Sequence, residues 1–214
     1  MRDSIKSKEY FDRFIAEDSA RIHDFSEKLE SNLINENRVG RIKEKIFLIE
    51  LGVFIAKYSA GEDLNSLYDS FQSLFDKWTA LFSKNNYDSN LKMISLSVLF
   101  NSEKKLANLE DLSETDDWLI SYILGGDNEK KLAYPEHYET LQKILKEKEN
   151  ETLIDYAKNR WFSEDLECFS AHKSAENTYY GYWCFEIAAI IKKLGIDDSE
   201  LKNERFYPYD LVHF

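Results

Sequence analysis

Apolar side chains recur every three or four residues across most of the first 84 positions, and that spacing leaves little freedom in the choice of fold. Phe11, Ile15, Ile22, Phe25, Leu29 and Leu33 mark one long amphipathic helix, and Ile42, Ile46, Ile49, Val53 and Ala56 mark a second that ends at Gly61. Leu64, Leu67, Phe71, Leu74, Trp78 and Leu81 mark a third. A face apolar at this period must be buried against another element, and short connections between long helices favour antiparallel neighbours. With 2 Pro and 7 Gly in 214 residues, there is too little turn chemistry for a many-stranded sandwich and too few glycines for phosphate loops. The predicted fold class is all-α, a multi-helix bundle of antiparallel long helices.

Further along, Leu91 to Phe100 carries an ISLSVLF run that alternates like a strand, yet Leu91, Ile94 and Val98 also suit a helix. Helix is the reading adopted, because no partner strand is visible. The stretch from Glu103 to Asp117 is polar and divides the chain into halves, 1–105 and 113–214, expected to pack as one unit. Trp118 to Leu124 reads as a helix stopped at Gly125-Gly126, and Pro135 opens another with Tyr138, Leu141, Ile144 and Leu145 inward. Thr152 to Trp161 and Ser163 to Phe169 are shorter helical segments. In the string YYGYWCFEIAAIIKKLGIDDS (Tyr179 to Ser199), Trp183, Ile187, Ile190, Ile191 and Leu194 share a helix face, and Ala188 and Ala189 allow close approach of another backbone. Gly195 sits where a left-handed residue ends a helix, with Ile196 placed to close a Schellman motif on Ile191. YPYDLVHF (Tyr207 to Phe214) reads as a docked tail in which Asp210 accepts backbone or Tyr donors and Leu211, Val212 and Phe214 pack inward.

Those two C-terminal strings closely resemble the C-terminal signature of the PoNi-type immunity proteins. These are bacterial antidotes to PoNe toxins, which in turn resemble DNases of the PD-(D/E)xK superfamily and are delivered by contact-dependent secretion systems. The opening MRDSIKSKEYFDRFI (Met1 to Ile15) is similar to the N-terminal start of the same family. What the resemblance implies is a protein partner, a cognate nuclease toxin, and no catalytic residues.

Charge agrees with such a partner. There are 40 acidic and 28 basic side chains, for a net charge of −12. Binding to nucleic acid or to an anionic membrane would need a concentrated basic stripe, and the sequence has only isolated pairs such as Lys104-Lys105, Lys130-Lys131 and Lys192-Lys193, each read as a solvated helix end. Ile46 to Ala56, the longest apolar stretch, is broken by Glu50 and too short to span a bilayer. Met1-Arg2-Asp3 leads into mixed charges, which predicts a cytoplasmic protein without a signal peptide. Cys168 and Cys184 have no metal-ligand spacing and read as small buried apolar residues. No cofactor is expected.

Between Ala107 and Asn128 stand six acids, Glu110, Asp111, Glu114, Asp116, Asp117 and Asp127, and no Lys or Arg. One reading is local: Ser113 or Thr115 caps the following helix and acids complement its dipole. The other is an interface, in which Glu110, Asp111, Glu114, Asp116 and Asp117 with Trp118 and Tyr122 form an acidic, aromatic-containing patch for a basic partner. Glu164, Asp165 and Glu167 form a smaller cluster without an evident cation. Glu186 lies at the edge of an apolar helix face and needs a donor such as a Tyr hydroxyl, a Trp indole or Arg160. A hydrolytic metal or acid-base site joining Glu186, His172, Asp210 and His213 has the right side-chain types but no supporting spacing. The leading expectation is an immunity protein that occludes the cationic cleft of a nuclease toxin. A metal-dependent hydrolase and a helical adaptor without a toxin are the alternatives.

Overall fold

The computed structural model describes residues 1–108, 116–126, 129–164 and 170–214, with the side chains of 107 and 108 left aside. Every described element is helical: α1 (Lys8–Glu30), α2 (Glu36–Ala60), α3 (Leu64–Ala80), α4 (Tyr87–Leu99), α5 (Trp118–Leu124), α6 (Pro135–Glu147), α7 (Asn150–Asn159), α8 (Trp161–Glu164), α9 (Phe185–Leu194) and α10 (Tyr209–Val212), with three short 3-10 helices. The all-α fold is as the periodicity predicts. No helix among the described residues is long and apolar enough to cross a membrane. The chain divides into two compact units. The first is Met1–Phe82 with Ser170–Gly181, and the second is Ser83–Phe169 with Tyr182–Phe214.

In the first unit α1 packs on α2 and α2 on α3. Ser7, Asn35 and Asp63 cap the three helices with side-chain oxygens that accept first-turn N–H groups. The chain start closes the far end of α2. The Arg2 guanidinium donates to the Tyr58 and Glu62 carbonyls at 3.0 and 2.8 Å and lies 4.5 Å from the centre of the Tyr58 ring. A cation on the last carbonyls of a helix is favoured by its dipole. Gly61 is required there twice over: its φ is +92°, and a Cβ would meet the Met1 nitrogen at 2.7 Å. Tyr179 and Tyr180 then bind this corner, the Tyr179 hydroxyl donating to the Asp3 carboxylate and Ser59 Oγ donating to the Tyr180 carbonyl at 2.8 Å. The Tyr10 hydroxyl donates to the Tyr179 carbonyl at 3.0 Å and accepts its N–H at 3.2 Å.

The second unit is built on α4 and α9, packed on each other and buried nearly all round. This explains the strand-like alternation near residue 95. Ser95 and Ser97 are fully buried inside the helix, where each hydroxyl donates to the carbonyl four residues back at 2.7 Å. Two expectations for the signature string need correction. Trp183 precedes α9, which starts at Phe185, and Leu194 is 49% exposed. The stop is as expected: Gly195 has φ +62° and the Ile196 N–H reaches the Ile191 carbonyl at 3.2 Å. Lys192 and Lys193 are more than solvated ends. Lys192 Nζ donates to the Leu99 carbonyl at 2.6 Å and Lys193 Nζ to the Ile123 carbonyl at 2.5 Å, at the last turns of α4 and α5. In the tail, Leu211 and Val212 are buried, Phe214 is 37% exposed, and the acceptor of the Tyr207 hydroxyl is Asp198 at 2.8 Å, with Asp210 exposed.

Candidate partner-binding surface

The acidic segment enters the described structure at Asp116, which is exposed. Asp117, one residue on, is 2% exposed and is itself the N-cap of α5. Its Oδ1 accepts the Ile120 N–H at 2.8 Å and the Tyr87 hydroxyl at 3.3 Å, and its Oδ2 accepts the Ala133 N–H at 2.9 Å. One carboxylate thus ties the first turn of α5 to α4 and to the segment before α6, and burial together with Asp117 pushes the Tyr87 hydroxyl pKa far up. Trp118 is fully buried, stacked on Tyr122 at 4.9 Å. Asp117 and Trp118 are therefore corrections to the expected patch: they are packing and capping groups that no partner reaches without unfolding this corner. Tyr122 is half-buried, its hydroxyl pKa raised by burial, so it stays a neutral donor at the surface. Glu110, Asp111 and Glu114, and the caps expected at Ser113 and Thr115, lie outside the described residues.

The second cluster also changes character. Glu164 holds a cation that the sequence reading missed, with Arg160 Nε and Nη2 at 2.8 and 3.1 Å from its two oxygens. The signal was there in the i, i+4 spacing on one helix-forming stretch. Asp165 and Glu167 lie outside the described residues. The fold instead assembles a different acidic surface, a groove of about 560 Å³ between α7 and the 196–200 segment. Ile154 and Ile196 line it together with Glu151, Asp155, Asp197 and Glu200, and with Lys158, which lies 3.7 Å from Glu204. Asp155 accepts the Asn159 amide and Asp197 the Ser199 N–H, while Glu151 and Glu200 meet no cation among the described residues. These acids are some 40 residues apart in sequence, so no local pattern announces them.

The residues of the hydrolytic alternative have other partners. Glu186 accepts the Trp161 indole N–H at 2.5 Å, and His213 Nε2 lies 2.9 Å from Asp198. His172 belongs to the first unit, with its ring 6.2 Å from that of Tyr179. Desolvation raises the Glu186 pKa to about 6, against the pull of its own backbone hydrogen bond, Trp161 and Lys92; Asp88 adds to the rise. A raised carboxyl pKa means that the folded state favours the neutral form, so this stabilising preference is full below the unfolded value near 4.5 and is lost as pH rises through 6. Glu186→Gln keeps an acceptor for Trp161 and cannot ionise. Between about pH 4 and pH 7 the variant should gain about 2 kcal/mol relative to the parent chain. Denaturation curves for the two proteins that stay parallel across this range would refute the assignment.

What the geometry defines is an acidic, all-α protein in which carboxylates serve as caps, ion-pair partners and surface charge. Two family models account for nearly its whole length: PoNe immunity protein (PoNi), N-terminal, matches residues 2–111, and PoNe immunity proteins (PoNi), C-terminal, matches residues 115–211. The chain belongs to the PoNi family of immunity proteins, whose counterpart is the PoNe toxin. No curated protein and no solved structure matches it.

Proposed function

We propose that this chain neutralises its cognate PoNe nuclease by direct, non-catalytic binding, laying the acidic face of its second unit over the cationic cleft that would hold DNA. The observation that carries this is the distribution of charge. The second unit has 24 acidic against 15 basic side chains, a net −9, whereas the first has 16 against 13, a net −3. A surface that grips phosphates must be cationic, so an acidic antidote is steered toward it and competes with DNA for it. Contacts proposed from the sequence are Glu110, Asp111, Glu114, Asp116, Tyr122, Glu164, Asp165 and Glu167. The groove carboxylates Glu151 and Glu200 join them as a second surface.

The test is growth rescue and binding with the cognate PoNe nuclease domain. Reversal of Glu110, Glu114 and Asp116 to Lys leaves the Asp117 cap intact and should slow association about tenfold or more at low salt while helicity stays unchanged. Unchanged association rate and salt dependence would remove this patch from the interface, and the same result for Glu151→Lys with Glu200→Lys would remove the groove. An immunity protein that failed to bind the nuclease at all would overturn the whole reading.

A further inference from the structure

We propose that the outer part of the α1–α2 hairpin is a self-association surface through which two copies of this chain pair. The hairpin is covered at its base, where Phe11, Phe14, Asp18, Ile46 and Phe47 are buried. From 19 to 45 not one residue is buried. Yet the outer stretch repeats the apolar spacing of a core: Ile22, Phe25 and Leu29 on α1 and Val39 and Ile42 on α2 are half-buried, and Leu33 in the connection is 76% exposed. Two helices cannot enclose the seam between them, and four can; the simplest way for a bare hairpin to cover its apolar stripe is to meet the same stripe of another hairpin.

Charge selects that occupant. On α1 the outer acids are Asp24, Glu27 and Glu30, against Arg21 and Lys28; on α2 the outer bases are Arg38, Arg41, Lys43 and Lys45, against Glu36 and Glu44. Arg38, Arg41 and Lys43 make no ion pair among the described residues, an unusual surplus in a chain of net charge −12. A two-fold axis sets α1 of one copy beside α2 of the other, so acidic edge meets basic edge twice. With 6 bases and 5 acids from 19 to 45, this surface is the wrong sign for a cationic nuclease cleft. The pairing stands independently of how the toxin is bound.

The experiment is sedimentation of the full chain from low to high micromolar concentration, with nuclease-treated samples as a control. A dimer mass is expected. Arg38→Glu with Arg41→Glu should weaken self-association about tenfold or more, and so should Asp24→Lys with Glu27→Lys; mixing the two variants should restore a heterodimer. The double variant Phe25→Glu and Leu29→Glu should be monomeric, with rescue of growth intact. A monomer at every concentration, a dimer indifferent to both charge reversals, association that vanishes on nuclease treatment, or a Phe25→Glu, Leu29→Glu variant that still dimerises would each overturn the proposal.

Discussion

Asp117→Ala should cost about 2 kcal/mol of stability, against about 0.5 kcal/mol or less for Asp116→Ala beside it. The asymmetry follows from what the two carboxylates touch. Removing Asp117 takes away the N-cap of α5 and leaves the Ala133 N–H and the half-buried Tyr87 hydroxyl without their acceptor. Loss of a cap accounts for about 1 kcal/mol, and the half-buried Tyr87 hydroxyl left without its acceptor adds about 1 kcal/mol, while the N–H of the exposed Ala133 can turn to water. Asp117→Asn, which keeps one acceptor oxygen, should recover part of the loss. Urea denaturation followed by circular dichroism measures all three, and equal effects for Asp116 and Asp117 would contradict the capping role.

A second large effect is expected at the chain start. Asp3 is 6% exposed and accepts the Ile5 and Lys6 N–H groups at 2.7 and 2.9 Å as well as the Tyr179 hydroxyl. Asp3→Ala should destabilise by about 3 kcal/mol, through the lost turn and a Tyr179 hydroxyl left dry inside the first unit. Tyr179→Phe alone should cost about 2 kcal/mol, since it leaves the carboxylate short of a partner. Because the two groups serve one another, the double variant should be more stable than the sum of the singles by about 1 kcal/mol or more. Strict additivity would mean that the contact carries no energy of its own.

How much of this was legible depended on whether the cause was local. The 3.6-residue spacing of Leu64 to Leu81 wrote α3, and Gly61, Gly125 and Gly195 all end helices with positive φ, as expected of them. The Trp161 indole was among the donors named for Glu186, because a carboxylate on an apolar face has few ways to be satisfied. Asp117 was misread since a capping acid and an interface acid are the same letter, and only the Ala133 and Tyr87 contacts, 16 and 30 residues away, tell them apart. Asp198 was missed for the same reason: its partners Tyr207 and His213 meet it only after the tail has folded back. The pairing of the outer α1–α2 hairpin was hidden differently. Its stripe looks like any core stripe, and only the absence of fully buried residues from 19 to 45 sets it apart.

The two lysines that end α9 have a consequence for the second unit as a whole. Helix carbonyl ends are like poles, each worth roughly half a negative charge, and α4, α5 and α9 bring three of them together where Lys192 and Lys193 reach Leu99 and Ile123. Left alone, such ends repel and would splay. Two ammonium groups more than offset them, and Gly125 leaves the space: a Cβ there would stand 3.0 Å from Lys193 Nζ. The counter-charge that other proteins borrow from salt or solvent is here built into the chain, so this junction of helices should hold its geometry at ionic strengths that loosen the surface ion pairs around it.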